Sequence, residues 1–370
     1  MPPLRVGPVP LCLLACLSAW PDPCPAERAY QSVGRSATYV PLLNFSSDDG
    51  TGYGVRLNLF SYDGRTVPYR SKLSAQLFAT TGGKQVHRLL WDAPAWRTGR
   101  RLQAEFVYEK EEEANYFGGL APDALAGFSR KQKTFSQAAP ALRLSWIGDL
   151  RGPWRLRLGG RLAHTAIDPN AAGSVLEALA PLGADGGTLL QGSAALRHDT
   201  RDDYNDTAAG ALAEAAVQYS VGGGFDYNGA LFSAEYRRFW GLSALVLAHR
   251  LSLDWSAGGL PFYEELPLGG SSTVRGAASA RQRGQARLLL NAELRWRGVR
   301  LWRGQRMYLG GVLFGDIGQT FARDALPAAG DWRRGRGAGA RFFWHSTIVR
   351  ADYAVSGRRT AIYITFSQVF

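Results

Sequence analysis

From residue 37 to residue 370 the chain alternates apolar and polar side chains at a period of two, in segments of about nine to sixteen residues. Residues 37–46, 51–62, 69–80, 84–93, 102–111, 131–146, 154–168 and 188–198 read as strands, as do 209–221, 228–240, 243–255, 285–297, 307–317, 335–345, 347–355 and 360–370. These are sixteen segments, each long enough to cross a bilayer as a tilted strand. No run of about 18 apolar residues follows the N-terminal segment, so a transmembrane helix is not available. Glycine is frequent, with 44 residues, and no amphipathic helix stands out. The longest connections follow the fifth, seventh, eleventh and thirteenth strands, all odd, while most connections after even strands are turns. Long loops on one side and short turns on the other are the pattern of a membrane barrel. The expected fold is therefore all-β, a closed antiparallel transmembrane barrel of about sixteen strands spanning 37–370. A soluble sandwich pair or propeller is the alternative; the lack of a fixed-period repeat speaks against it, and so does the last segment. There Ile362, Ile364, Phe366 and Phe370 share an apolar face suited to lipid, while Tyr363, Thr365 and Ser367 share a hydroxyl face suited to a wet interior.

Residues 1–26 have the composition of a signal peptide. Arg5 supplies the positive end, Val6 to Leu17 an apolar run broken by Pro8 and Pro10, and Cys24-Pro25-Ala26 a cleavage site. Leu13-Leu14-Ala15-Cys16 also matches a lipoprotein cleavage box, so lipidation at Cys16 is the alternative to ordinary cleavage. Residues 27–36 form a short segment before the barrel. All three cysteines, Cys12, Cys16 and Cys24, lie in the removable part, so the exported chain has no disulfide framework.

Between two strongly alternating segments lies Gly269-Gly270-Ser271-Ser272-Thr273-Val274-Arg275-Gly276. With Leu288, Leu290, Leu294 and Trp296 facing lipid, the opposite face carries Arg287, Asn291, Glu293, Arg295 and Arg297 inward. With Leu309, Leu313 and Ile317 outward, Asp316 also points inward, and a carboxylate facing hydrocarbon would be costly. If the glycine loop folds into the lumen, Glu293 and Asp316 are placed to receive the Arg275 fork in charge-assisted, bidentate bonds. Two plainer readings stand beside this one. Arg275 is a solvated loop residue, or the two acids neutralise lumen arginines such as Arg295, Arg341 and Arg350.

The chemistry of enzymes is poorly represented. His87, His164, His198, His249 and His345 are scattered, no Gly-x-Ser-x-Gly elbow is present, and no Cys/His set has metal-binding spacing. No catalytic, cofactor or metal residues are expected. The net charge of +12 does not call for nucleic acid. Arg97, Arg100, Arg101, Arg300, Arg303 and Arg306 flank strand ends, where they snorkel to lipid phosphates. Trp146, Trp154, Trp240, Trp255, Trp296 and Trp344 occupy similar heights and read as interface girdles.

Several of these pieces together resemble one family. Gly269-Gly270 through Val274-Arg275-Gly276 resembles the loop motif of the BamA/TamA family of outer-membrane barrels, in the bacterial surface antigen superfamily that includes two-partner secretion transporters. His198-Asp199-Thr200-Arg201-Asp202-Asp203 with Gly210 resembles its Asp-Thr-Arg turn. Asn291-Ala292-Glu293-Leu294-Arg295 is similar to the strand that follows the loop, and Gly315-Asp316-Ile317-Gly318 to its Asp-x-Gly strand. The motifs cover roughly 188–370; the first half is similar only in strand pattern. The resemblance implies a bacterial outer-membrane location and an inward loop whose Arg275 bonds Glu293 and Asp316. It implies that Phe370 ends an assembly signal, and that the barrel assists insertion or translocation of a protein or lipid. Partners implied are outer-membrane lipid, a client protein, or a separate periplasmic partner. Two departures are visible. Ala277 stands where the family usually carries an aromatic residue, and the stretch from Glu27 to Ala37 leaves no room for a periplasmic POTRA domain. The alternative function is a passive, anion-preferring, porin-like channel with inward arginines.

Overall fold

The computed structural model describes residues 33–121, 123–222, 227–302, 307–344 and 347–370. The expected signal peptide, its three cysteines, and Arg303, Arg306 and His345 lie outside these residues. The wall begins with β1 (Val33–Ser46), β2 (Gly50–Asp63), β3 (Ser71–Thr80), β4 (Lys84–Arg97) and β5 (Arg100–Asn115). It continues with β6 (Thr134–Asp149), β7 (Trp154–Pro169), β8 (Gly187–Asp199), β9 (Gly210–Gly222), β10 (Asn228–Leu242) and β11 (Leu245–Gly258). Two short strands, β12 (Leu266–Leu268) and β13 (Gln282–Gly284), pair with each other and stand apart from the wall. The wall resumes with β14 (Ala286–Trp302), β15 (Met307–Phe321), β16 (Arg333–Trp344), β17 (Thr347–Ser356) and β18 (Arg359–Phe366). The result is a closed barrel of sixteen antiparallel strands, with β14 beside β11 and β18 beside β1. Closure matters because a backbone group in hydrocarbon has no water to bond, and a closed sheet leaves no edge.

The alternation sorts the side chains as expected. Leu247, Leu251, Leu253, Leu290, Leu294, Leu313, Ile362 and Ile364 are exposed on the outer face, with Trp154, Trp240, Trp255, Trp296 and Trp344 toward strand ends. Arg250, Asp254, Asn291, Glu293, Arg295, Asp316, Arg341, Arg350 and Asp352 are buried on the inner face. The lumen therefore has a packed polar interior rather than a bare wall. A smaller apolar cluster, in which Tyr116, Phe135, Val175, Leu176 and Phe262 meet, closes the outer end of β5 to β7. Part of it comes from a one-turn helix, α1 (Val175–Leu179), capped by Ser174 in a reciprocal bond pair with Glu177.

Two boundaries differ from the expectation, one through pairing and one through a turn. Val33 to Ser36, placed by sequence in the short N-terminal segment, belong to β1, because β2 continues to Asp63 and pairs with them. At the other end the last strand stops at Phe366 rather than Phe370. Ser367, at φ 67°, turns the chain out of the wall, although β17 still continues to Thr347 and, among the described residues, β1 is unpaired on this side from Asn44 back to Val33. Phe370 is consequently not on the lipid face but buried inside the barrel. The sequence pattern missed this because the parity of Phe370 matches that of Ile364 and Phe366.

The sorting yields a depth-dependent expectation. Leu313→Arg, on the outer face of mid-β15, should cost about 2–4 kcal/mol, whereas Leu242→Arg, at the end of β10, should cost about 0–1 kcal/mol. Urea unfolding of the two variants in lipid vesicles measures the difference, and equal costs would contradict the assigned membrane face.

Candidate functional site

The loop between β11 and β14 enters the lumen because its two limbs are zipped and its tip is glycine-rich. β12 and β13 pair through Leu266 with Gly284 and Leu268 with Gln282. Above that clip, the Thr273 hydroxyl donates to the Gly269 carbonyl at 2.9 Å and accepts from the Gly269 amide at 2.8 Å. Gly269 and Gly270 take φ of 113° and 90°, a region open to glycine. Val274 is fully buried with Leu268, Ala277 and Leu289, so Ala277 packs into the loop's own small core. Gly276 also has φ 90°, and a Cβ there would lie 2.8 Å from the backbone of Val355 and Ser356, so only glycine lets the tip approach β17 this closely.

Arg275 is the centre of the arrangement. Its backbone amide donates to Asp316 Oδ2 at 3.0 Å, and its Nε and Nη2 donate to Asp316 Oδ2 and Oδ1, each at 2.8 Å. Nη1 donates to Glu293 Oε1 at 2.7 Å and more weakly to Asp352 Oδ2 at 3.4 Å. The guanidinium carbon lies 3.5 Å from the Phe314 ring centroid, a stacked cation–π contact. Arg275 and its three acids are dry, with side-chain exposure of 0%. Burial works against the arginine's charge, but the bonds to Asp316 and the fields of Glu293 and Asp352 outweigh it and raise its pKa above the ordinary value.

A second ring of contacts fixes the acids and the loop. Arg295 Nε donates to Glu293 Oε2 at 2.8 Å, Arg341 Nη1 donates to Asp352, and Asn291 Nδ2 donates to both Asp316 Oδ1 and the Thr273 carbonyl at 2.7 Å. Arg250 donates to the Ser272 carbonyl at 2.7 Å and Arg350 to the Ser271 carbonyl at 3.3 Å. At the tip, Arg359 of β18 donates to the Gly276 carbonyl and to Asp48 of the β1–β2 turn, and the Tyr363 hydroxyl accepts from the Gly276 amide. One loop thus ties β14 through β18 to the β1 hairpin.

The structure brings Gly269, Gly270, Val274, Arg275, Gly276, Glu293 and Asp316 together. Phe370 is elsewhere in the lumen, near Phe239. The plainer alternatives hold only in part, since Glu293 serves both Arg275 and Arg295. Sequence reasoning missed Asp352 and Phe314. Parity offered a signal for the acid, because Arg350 was counted inward and Asp352 lies two residues on.

The barrel's closure is uneven. β1 and β2 pair continuously from Val33–Asp63 to Ser46–Gly50, but β1 and β18 pair only through Phe45–Ile364 and Ser46–Tyr363. Ser47 extends the seam slightly, its amide donating to the Ile362 carbonyl at 3.0 Å and its hydroxyl accepting from the Ile362 amide at 2.8 Å. From Val33 to Asn44, β1 has no strand partner on that side among the described residues. Pro41 lies within this unpaired stretch.

The model described as the Omp85 superfamily domain matches residues 32–361. BamA from Haemophilus ducreyi lacking POTRA domains 1–3 is similar in structure, with a TM-score of 0.65 at 14% identity, over 90% of this chain and 70% of that one. CdiB from Escherichia coli is similar with a TM-score of 0.58 at 13% identity, over 89% of this chain and 62% of that one. CdiB from Acinetobacter baumannii has a TM-score of 0.54 at 11% identity, over 91% and 66%. At such identities the likeness is one of fold. No curated protein sequence matches the chain.

Replacing Arg275 strips the buried Asp316 of its cation and takes one partner each from Glu293, which keeps Arg295, and Asp352, which keeps Arg341. Arg275→Ala should therefore cost on the order of 3–5 kcal/mol and expose the loop to protease. Arg275→Met combined with Asp316→Asn and Glu293→Gln should recover part of that loss. Heat-modifiability and limited proteolysis test the pair, and a stable, protected Arg275→Ala barrel would rule out the latch as a brace.

Proposed function

The chain belongs to the Omp85 superfamily and is a bacterial outer-membrane β-barrel, and from that premise we propose that it inserts or translocates polypeptide at the outer membrane. The observation that carries this reading is the seam. A β1 edge from Val33 to Asn44, unpaired on this side among the described residues, offers backbone groups to an incoming strand, while two residue pairs at the outer end keep the barrel closed. A client segment adding to β1 by backbone bonds gains them without regard to its sequence, which suits a general acceptor of strands.

The Arg275 latch has a mechanical role in this scheme. It holds β14 to β17 as one plate through Glu293, Asp316 and Asp352, and the same loop reaches β18 and the β1–β2 turn through Arg359 and Asp48. The weak seam is thereby flanked by a stiff wall, so strain from an entering strand falls on the seam. Outer-membrane lipid bathes the exposed apolar face, and a separate periplasmic partner would deliver the client. A porin-like channel needs an open lumen, whereas the loop tip here occupies the lumen with buried contacts.

The test locks the seam. Phe45→Cys with Ile364→Cys joins residues already opposite each other, in a background where Cys12, Cys16 and Cys24 are serine. Proteoliposomes carrying the oxidised barrel should lose their acceleration of the folding of an added, urea-unfolded eight-stranded outer-membrane barrel, and a reductant should restore it. Equal acceleration with the lock closed would overturn the seam as the route. A steady anion-selective conductance without any acceleration would favour the channel.

A further inference from the structure

β16 opens with Arg333-Arg334-Gly335-Arg336-Gly337-Ala338-Gly339-Ala340-Arg341, and its two faces meet different surroundings. A Cβ on Gly335 would run into the Arg275 carbonyl oxygen, and one on Gly337 into the Phe314 ring, so these glycines face the lumen and make room for the loop tip. By the alternation of a strand, Arg334 and Arg336 point the other way. They share the outer face with Leu313 of β15 and Tyr353 of β17, the register partners of Ala338, which are 61% and 53% exposed. Both arginines are exposed. Unlike Arg341 and Arg350 on the inner face, neither side chain has an ion-pair or hydrogen-bond partner among the described residues.

Height along the wall places the pair at the outer interface. Arg334 and Trp344 are ten residues apart on one face of β16. That is about 34 Å of strand, which at a tilt of about 40° gives roughly 26 Å of height, the thickness of the apolar band of a membrane barrel. Trp344 stands at the end of β16 that leads directly into β17, whereas Arg334 stands at the end reached by the long connection from Phe321. Long connections lie outside, so the arginines mark the outer leaflet. A guanidinium at that height on the lipid face draws its counter-charge from the membrane. The two forks stand about 7 Å apart, the rise of two strand residues. A phosphate takes a guanidinium in two parallel bonds, so one phosphate satisfies one fork and the pair calls for two. Beneath them the outer wall is flat, with Ala340 of β16, Gly311 of β15 and Ala351 of β17 side by side in register.

We propose that Arg334 and Arg336 form a docking site for a diphosphorylated glycolipid of the outer leaflet, each guanidinium taking one phosphate and the flat wall below taking the acyl chains. The site goes beyond the insertion reading and rests only on the chain's place in the outer membrane. It also gives β16 a support on each face: the loop tip packs on Gly335 and Gly337 from inside, and the lipid holds Arg334 and Arg336 from outside.

The experiment uses the full chain in a neutral detergent and counts bound lipid by native mass spectrometry as diphosphoryl lipid A, monophosphoryl lipid A or phosphatidylglycerol is titrated in. The unaltered chain should bind diphosphoryl lipid A about tenfold or more tightly than the other two. Arg334→Gln with Arg336→Gln should bring diphosphoryl lipid A down to the level of phosphatidylglycerol, and Arg336→Gln alone should bind the two forms of lipid A equally. Neither side chain reaches the lumen, so both variants should keep the heat-modifiability of the unaltered chain. Arg238→Gln is the control, since it removes another arginine of the outer face, opposite His249 at the other end of the wall, and should leave the affinities as they were. Undiminished binding of diphosphoryl lipid A by the double variant, equal affinity of the unaltered chain for all three lipids, or an equal loss in Arg238→Gln would each overturn the site. Locking the seam at Phe45 and Ile364 does not touch β16, so the site and the insertion route fail separately.

Discussion

A guanidinium carried out of water must find its counter-charges in the protein, and Arg275 finds three. The desolvation of so many charges is expensive, and close, well-directed bonds must repay it. Here the repayment is geometric. Asp316 takes the fork in two parallel bonds and also caps the arginine's own amide, so side chain and backbone are held by one carboxylate. That arrangement exists only if the loop enters the lumen, which in turn depends on the β12–β13 clip and on glycine at the tip. Loop entry, latch and the joining of distant strands are one cooperative unit.

The same barrel shows a strong and a weak solution to the edge problem. Most neighbouring strands pair over nearly their full length, yet β1 and β18 meet in only two residue pairs. The cause lies in β18, which is eight residues long and is followed by a chain that departs inward. Hydrogen-bonding capacity absent from the seam is partly recovered inside, where Gln368 and Phe370 bond Arg341 and Arg295. The inward residues and the open edge are thus two aspects of one choice of path, and both concern the side of the barrel that the loop braces.

The basic excess of the chain divides between these environments. Some arginines sit at strand ends, such as Arg97 and Arg100, stacked over Trp96 and Trp146 in the manner of interfacial anchors. Others line the lumen and are largely matched by acids, as in Arg101 with Asp92, Arg197 with Glu214 and Arg287 with Asp254. Arg295 and Arg341 follow the same pattern, with Glu293 and Asp352. Net charge by itself said nothing of this, since it cannot tell a paired cation from a solvated one.

Alternation at period two, strand length and the placement of long connections were legible in the residues, and they determined the barrel, its sixteen strands, and which side chains face lipid. Those properties are local, because parity along a strand is set by the backbone and the cost of a charge in hydrocarbon chooses the face. The parity of Glu293 and Asp316 was legible for the same reason. Tertiary structure alone decided that Asp352 and Phe314 join the latch, that the seam is short, and that Phe370 lies in the lumen. Each depends on which strands become neighbours and on where the backbone leaves the ladder. A period of two continues through Phe370 in the sequence, but the turn at Ser367, at φ 67°, takes the last residues inward, and side-chain parity does not encode a turn.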